Sequence, residues 1–233
     1  MIAQNLARLK EKIETSCKKS SRNPEEIKLI AVSKYFGLDA ILEAKSLGLT
    51  DFGENRPQEL SLKFEKLGDS VTWHLIGTLQ KNKVKYAVKT GEFIHSVDSV
   101  DLAEEINKHA EKLSKVQKIL IEVKTSEEET KSGLTAEDEV FNLVKKCTEL
   151  KNIKLVGLMT MAPLTDNEMI IRKSFRDLRN LKDEINNKGY SLTELSMGMT
   201  SDFEIAIEEG ATMLRIGSAI FGERDYSRDW RQI

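Results

Sequence analysis

Prolines and cysteines are scarce in this sequence of 233 residues, which contains three prolines and two cysteines. With so few prolines and no glycine- or serine-rich linker, nothing marks a domain boundary, and we expect residues 1–233 to form a single domain. Cys17 and Cys147 lie far apart and have neither metal-ligand nor redox-motif spacing. Two such cysteines fit a reducing compartment, and the cytoplasm is the expected location.

Long apolar runs and an excess of one charge sign are also missing. No segment is apolar over the about 18 residues that a membrane-spanning helix requires. The N-terminal residues Ile2, Leu6, Leu9 and Ile13 have the spacing of an amphipathic helix and not of a signal peptide. The 36 basic and 38 acidic residues nearly balance, whereas a nucleic-acid-binding surface needs clustered lysine and arginine. We therefore expect binding neither to membranes nor to nucleic acid.

Short apolar runs alternate with amphipathic stretches along the whole chain. Eight runs are predicted to be strands: residues 27–33, 50–54, 72–77, 92–97, 117–123, 154–160, 193–197 and 212–217. Stretches such as LDAILEAKSLG between them have helical periodicity. About eight strand–helix units in a chain of this length predict an α/β fold, a (β/α)8 barrel of the TIM type preceded by an extra N-terminal helix. An open doubly wound sheet is the alternative, but no G-x-G-x-x-G follows the first strand.

Two glycines and a serine give more local predictions. Gly48 and Gly210 follow helical stretches, where a left-handed glycine commonly ends a helix. Ser201, with Glu204 three residues later, has the pattern of a capping box at the start of a helix.

The first strand ends in Ser33 and Lys34, at the end of a barrel strand where catalytic and binding residues lie. The strand could simply reach the surface there, because lysine is rarely buried. Alternatively, the Lys34 amine is held at the mouth of a pocket to react with a carbonyl group. Both interpretations stay open on this segment alone.

The segments SMGMTSD and RIGSAIFGER follow the seventh and eighth strands. In such barrels these two loops commonly bind phosphate, although turn formation and helix capping explain the same residues. Arg215 lies in the eighth strand, where an inward-facing cation needs either a carboxylate partner or a ligand. An amine, a phosphate site and a cation match the aldehyde, the phosphate and the ring nitrogen of pyridoxal 5′-phosphate (PLP).

His74, in WHLIG, is the other residue that could carry chemistry. We favour a hydrogen-bonded core histidine over a catalytic one. The sequence shows no cluster of His, Cys, Asp and Glu with metal-ligand spacing, so no metal is expected.

Several segments resemble one known family. They are AVSK, FGENRPQE, WHLIGTLQKNK, HSVDS, KSGL, GLMTM, LSMGMTSDFEIAI and MLRIGSAIFGERDY, in order over about residues 29–226. Together they resemble the pyridoxal phosphate homeostasis protein family. The resemblance implies a barrel like the N-terminal domain of alanine racemase, with PLP held as an internal aldimine on Lys34. It also implies Arg215 near the pyridine nitrogen, Asn55 beside the ring, Met159 in the pocket lining, and phosphate contacts from Ser196, Gly217 and Ser218.

The same resemblance implies a role in the balance of vitamin B6 forms without established catalytic turnover. Related racemases complete their site at a dimer interface with a tyrosine from a second domain, for which a sequence ending at Ile233 leaves no room. We therefore expect a monomer without catalytic residues that binds PLP and hands it to apo forms of PLP-dependent enzymes. Lys131 could hold PLP in transit, although a solvated loop lysine is the simpler interpretation.

Two enzymatic alternatives remain at this stage. One is a PLP-dependent amino-acid racemase or decarboxylase, in which Tyr35 or Tyr226 would supply a second acid/base. The other is an aldolase in which a strand-end lysine attacks the carbonyl of a sugar phosphate, a reaction that predicts a colourless protein.

Overall fold

Eight parallel strands form a closed barrel in sequential order, in a computed structural model that describes residues 1–125 and 132–223. The strands are β1 Lys28–Val32, β2 Asp51–Glu54, β3 Thr72–Leu75, β4 Phe93–Val97, β5 Gln117–Glu122, β6 Ile153–Met159, β7 Glu194–Ser196 and β8 Met213–Ile216. Each coincides with one of the eight predicted strands to within about two residues. The predicted TIM-type barrel is therefore confirmed.

Helices surround the barrel. They are α1 Ile2–Lys19, α2 Leu38–Ser46, α3 Pro57–Leu67, α4 Val84–Thr90, α5 Val100–Lys112, α6 Glu137–Glu149, α7 Glu168–Asn187, α8 Phe203–Glu208 and α9 Ser218–Phe221. Helix α1 is the predicted extra N-terminal helix. It packs against α8 and α9, and the Asn5 side chain donates a hydrogen bond to the Ile220 carbonyl at 3.1 Å.

The core has two parts because side chains alternate between the two faces of each barrel strand. The outer part lies between the strands and the helices and includes Trp73 of β3. The inner part fills the barrel with six apolar side chains: Ile30, Phe93, Leu120, Val156, Met159 and Met213. His74, next to Trp73, is fully buried on the inner face of β3 against Phe93, so the prediction of a core histidine is confirmed.

The helix-end glycines are confirmed, and the capping box is wrong. Gly48 and Gly210 have φ angles of 92° and 100°, in the left-handed region. Helix α8 begins at Phe203 without a side-chain cap, and Glu204 instead pairs with Lys12 at 3.0 Å. Asp202 takes the place predicted for Ser201 before the helix and turns its side chain toward the preceding loop, where Oδ1 accepts the Met199 N–H at 2.5 Å.

No helix within the described residues is both long enough and apolar enough to cross a bilayer. The same part of the chain contains no group of His, Cys, Asp and Glu that could hold a metal ion.

Candidate functional site

A cavity of about 450 Å³ lies at the carboxyl ends of the barrel strands. Five of the seven residues for which the resemblance implies cofactor contacts line it: Lys34, Asn55, Arg215, Gly217 and Ser218. They come from the ends of β1, β2 and β8, which are far apart in the sequence and are brought together by closure of the barrel.

Lys34 is half-buried in a tight turn that follows β1. Phe36 donates its backbone N–H to the Ser33 carbonyl at 3.0 Å to close the turn. Tyr35 adopts φ 69°, a left-handed conformation that is uncommon for residues other than glycine. Its backbone N–H donates to Glu59 Oε1 at 2.9 Å, which fixes the turn beside Lys34.

A buried ionic cluster lies behind this turn. The Lys63 ammonium, fully buried, donates to the Ser33 carbonyl at 2.9 Å, to Glu54 Oε1 at 2.7 Å and to Glu59 Oε1 at 2.9 Å. Burial raises the pKa of Glu54 to about 7, against the lowering effect of Lys63 and with a further increase from Glu59. One ammonium therefore binds two carboxyl groups and also holds the end of β1.

Arg215 projects from β8 into the cavity and is only 5% exposed. Its Nη1 donates to Ser196 Oγ at 2.7 Å and its Nη2 to the Thr160 carbonyl at 2.8 Å. Burial lowers the pKa of Arg215 to about 10, partly offset by the charges of Asp202 and Glu122, so the side chain is a cation at neutral pH. Two of its five N–H groups are thus used to fix the plane of the guanidinium.

The two predicted phosphate loops contact each other at the cavity. Thr200 and Ser201 follow β7, Gly217 and Ser218 follow β8, and all four line the cavity. The Ser218 and Thr200 hydroxyls lie 3.2 Å apart, and the Ala219 N–H donates to Thr200 Oγ1 at 3.4 Å. These four residues offer hydroxyl and backbone N–H donors, and none of them is acidic. Such a group of donors suits an anion.

Two residues implied by the resemblance do not line the cavity. Met159 is buried in the inner core, and Met161, two residues later, lines the cavity in its place. Ser196 is fully buried and binds Arg215. Lys131 and Tyr226 lie outside the described residues.

Glu122, at the end of β5, is a cavity residue that the sequence did not reveal. It is 3% exposed, and its Oε2 atom has no hydrogen-bond partner among the described residues. Burial raises its pKa to about 7, with a further increase from Asp98 and a lowering effect from Arg215. One signal was present in the sequence: Glu122 alternates with Ile121, which faces outward, so Glu122 faces the barrel interior. This alternation does not distinguish a cavity residue from a core residue.

The family model for the N-terminal domain of alanine racemase matches residues 4–225. A pyridoxal phosphate homeostasis protein from Aquifex aeolicus is 45% identical over 225 residues, which cover 96% of this chain and 98% of that protein. The chain belongs to the pyridoxal phosphate homeostasis protein family, as the sequence motifs predicted.

Two solved structures support the same relationship. PipY of Synechococcus elongatus, solved with PLP bound, is 36% identical with a TM-score of 0.83, over 95% of this chain and 100% of that one. An uncharacterised protein from Bifidobacterium adolescentis is 35% identical with a TM-score of 0.89, over 94% of each chain.

Proposed function

We propose that this protein binds PLP covalently through Lys34 and takes part in PLP homeostasis. The observation that carries the proposal is that Lys34, Arg215 and the two phosphate loops line one cavity. Its volume of about 450 Å³ lies within the usual range for small-molecule sites. The names of the relatives, and the PLP bound to PipY, support the same ligand.

The residues present fit the chemical groups of this cofactor. PLP supplies an aldehyde that condenses with an amine and releases water. Lys34 offers that amine. The phosphate would receive hydrogen bonds from the hydroxyls of Thr200 and Ser218 and from the backbone at Gly217, which line the same cavity. Asn55, which lines the cavity, would contact the ring of the cofactor. Met159 and Ser196 support the cavity from the barrel interior rather than by lining it.

Arg215 favours holding the cofactor over transforming it. Its guanidinium donates hydrogen bonds but does not release a proton to a ring nitrogen at neutral pH, and a protonated ring nitrogen is what makes PLP a strong electron sink. Tyr35, one of the two tyrosines considered as a second acid/base, does not line the cavity. Its hydroxyl instead accepts from Arg56 Nη2 at 3.4 Å. We propose low catalytic turnover for these reasons.

The wider role in this proposal is that of a cytoplasmic, monomeric, single-domain protein that stores PLP and delivers it to apoenzymes. Both cysteines are free and buried, which suits a reducing compartment. Mixing the PLP-loaded protein with an apoenzyme tests delivery: transfer faster than free release of PLP from this protein supports it, and equal rates contradict it.

A racemase-type activity is the second candidate, and Glu122 is the observation that favours it. A carboxyl group with a pKa of about 7 inside the cavity could accept and return a proton. Solvent deuterium exchange at the α-carbon of alanine, lost in Glu122→Gln, would support this candidate; no exchange above that of free PLP would contradict it.

The visible absorption spectrum of PLP-loaded protein tests the main proposal. We expect a band from the covalent Lys34 adduct that is absent in Lys34→Ala. The matched control is Lys83→Ala, because Lys83 lies at the same end of the barrel in a neighbouring surface pocket and not in the cavity. An unchanged band in Lys34→Ala would contradict the role of Lys34.

A further inference from the structure

Five polar side chains form one continuous hydrogen-bonded chain through the apolar barrel interior. From the cavity inward, Arg215 Nη1 lies 2.7 Å from Ser196 Oγ, and His95 Nδ1 lies 2.9 Å from the same Oγ. His95 Nε2 then lies 2.9 Å from His74 Nδ1, and His74 Nε2 lies 2.9 Å from Asp51 Oδ1. All five side chains are buried.

The chain runs from one end of the barrel to the other. Asp51 is the first residue of β2 and pairs with Lys28, the first residue of β1, at 3.4 Å. Arg215 lies near the end of β8 and lines the cavity. The hydrogen bonds therefore connect the cavity with the amino-terminal end of the barrel.

The two ends of the chain determine its direction. A guanidinium can only donate, and an ionised carboxylate can only accept. Burial opposes ionisation of Asp51, but hydrogen bonds from His74 and Thr50 outweigh it and lower the pKa of Asp51 to about 2. Between such ends, with both rings neutral, each group accepts one hydrogen bond and donates the next.

This requirement fixes the tautomer of both histidines. Ser196 accepts from Arg215 and donates its hydroxyl proton to His95 Nδ1, so the proton of His95 is on Nε2. That proton is donated to His74 Nδ1, so the proton of His74 is also on Nε2 and is donated to Asp51. Two neutral rings, which burial favours, thus both leave Nδ1 unprotonated.

The surroundings of the rings suit the neutral form. Burial lowers the pKa of His74, against the effect of Asp51. Burial also lowers the pKa of His95 well below its usual value, and the charge of Arg215 acts in the same direction. Lys28 lowers and Glu92 raises the pKa of His74 more weakly. The Phe93 ring stacks on His74 with centroids 4.6 Å apart and planes 1° apart, which fixes the ring orientation.

We propose that Asp51, His74, His95 and Ser196 are positioning residues for Arg215, acting as an oriented hydrogen-bond chain that holds the guanidinium in the cofactor cavity. The effect on PLP rests on the proposed function, whereas the orientation of the chain does not. A change at Asp51, at the far end of the barrel, therefore alters ligand binding in the cavity. Each link depends on the next, because one missing donor or acceptor leaves a buried polar atom unpaired.

Nitrogen-15 NMR of the full chain, labelled on histidine, tests the orientation without any cofactor. The protein contains three histidines. His109, in α5 beside Glu105, lies outside the hydrogen-bond chain and serves as an internal reference. We expect His74 and His95 to show the neutral form protonated on Nε2 at about pH 7.5. An Nδ1 proton on either inner ring at that pH would overturn the proposal.

Variants of His74 then test the effect on the cavity. In His74→Phe the ring stack is kept but the chain is cut, and we expect PLP to bind about tenfold more weakly. In His74→Gln the amide can accept from His95 and donate to Asp51, so affinity should largely recover. The control is His109→Gln, with unchanged affinity. If His74→Phe folds, as judged by circular dichroism, and binds PLP as tightly as the parent protein, the positioning role is wrong.

Two further outcomes separate this proposal from the proposed function. If the parent protein does not bind PLP but both rings have the expected tautomer, the proposed function is wrong, whereas the orientation of the hydrogen-bond chain is confirmed. If His74→Phe does not fold, Asp51→Asn replaces it; that variant removes the acceptor-only end, and wild-type-like tautomers and affinity in it would overturn the proposal.

Discussion

The backbone N–H of Tyr35 donates to the Glu59 carboxylate at 2.9 Å, so helix α3 holds the turn that carries Lys34. The same carboxylate binds the buried ammonium of Lys63, which also binds the carbonyl of Ser33. The position of the reactive amine is therefore set by a buried ionic cluster from the next strand–helix unit.

Lys63→Met should destabilise the protein strongly. The substitution leaves Glu54 and Glu59 buried without their cation, and loss of one partner from a buried ion pair costs about 3–5 kcal/mol. Urea unfolding measures the change. Lys66→Met, on the exposed side of the same helix, is the control and should change stability by less than about 0.5 kcal/mol. If Lys63→Met and Lys66→Met have equal free energies of unfolding, the buried cluster of Lys63, Glu54 and Glu59 does not stabilise the protein.

Glu122 and Glu54 contribute stability to the cofactor-free protein that is lost as the pH rises from about 4.5 to 7. His74 and His95, whose pKa values are lowered by burial, act in the opposite direction below about pH 6.5. Both carboxyls have a folded-state pKa of about 7, above the ordinary value of 4.5. At these two carboxyls the folded state therefore binds more protons than the unfolded state in this window, and the stabilisation present below pH 4.5 is lost as the pH passes 7.

Glu122→Gln should flatten this pH dependence in part, since Glu54 keeps its own contribution. Urea unfolding at several pH values between 4.5 and 8 measures the slope. Glu25→Gln, at an exposed position far from the cavity, serves as the control and should follow the parent curve. A Glu122→Gln curve that runs parallel to the parent curve would contradict the raised pKa.

Gly77→Ala should weaken PLP binding by about tenfold. A Cβ atom at Gly77 would lie 2.4 Å from the Asn55 carbonyl oxygen, so the backbone of Asn55 must move, and both residues line the cavity. Gly37→Ala is the matched control, because nothing lies within 4 Å of a Cβ atom there. A titration followed by absorbance compares the affinities. Similar affinities of the two variants would mean that Asn55 is not part of the binding surface.

The barrel could be predicted because alternation of strands and helices is a local property of the sequence. Lys34 and Arg215 could be predicted because the ends of barrel strands are where such residues lie, and the family motifs agree. The sequence could not predict that Met161 and not Met159 lines the cavity. The two residues are two positions apart, so strand alternation predicts the same face of the sheet for both. Only the tilt and stagger of the strands decide which side chain reaches the cavity.

The interior hydrogen-bond chain could not be predicted for a related reason. His95 and Ser196 are 101 residues apart and meet across the barrel, which no local pattern reveals. The capping box at Ser201 failed because a competing side chain, Asp202, stands one residue closer to the helix. Contacts that depend on three-dimensional register are thus visible only in the structure.

The site of covalent attachment decides whether Lys34 is the residue that holds PLP. The PLP-loaded protein is reduced with borohydride, digested and analysed by mass spectrometry to locate the modified lysine. We expect a single major adduct on Lys34, in a peptide that contains Tyr35. A major adduct on Lys131 or another lysine with Lys34 unmodified, or no adduct in loaded protein, would contradict it.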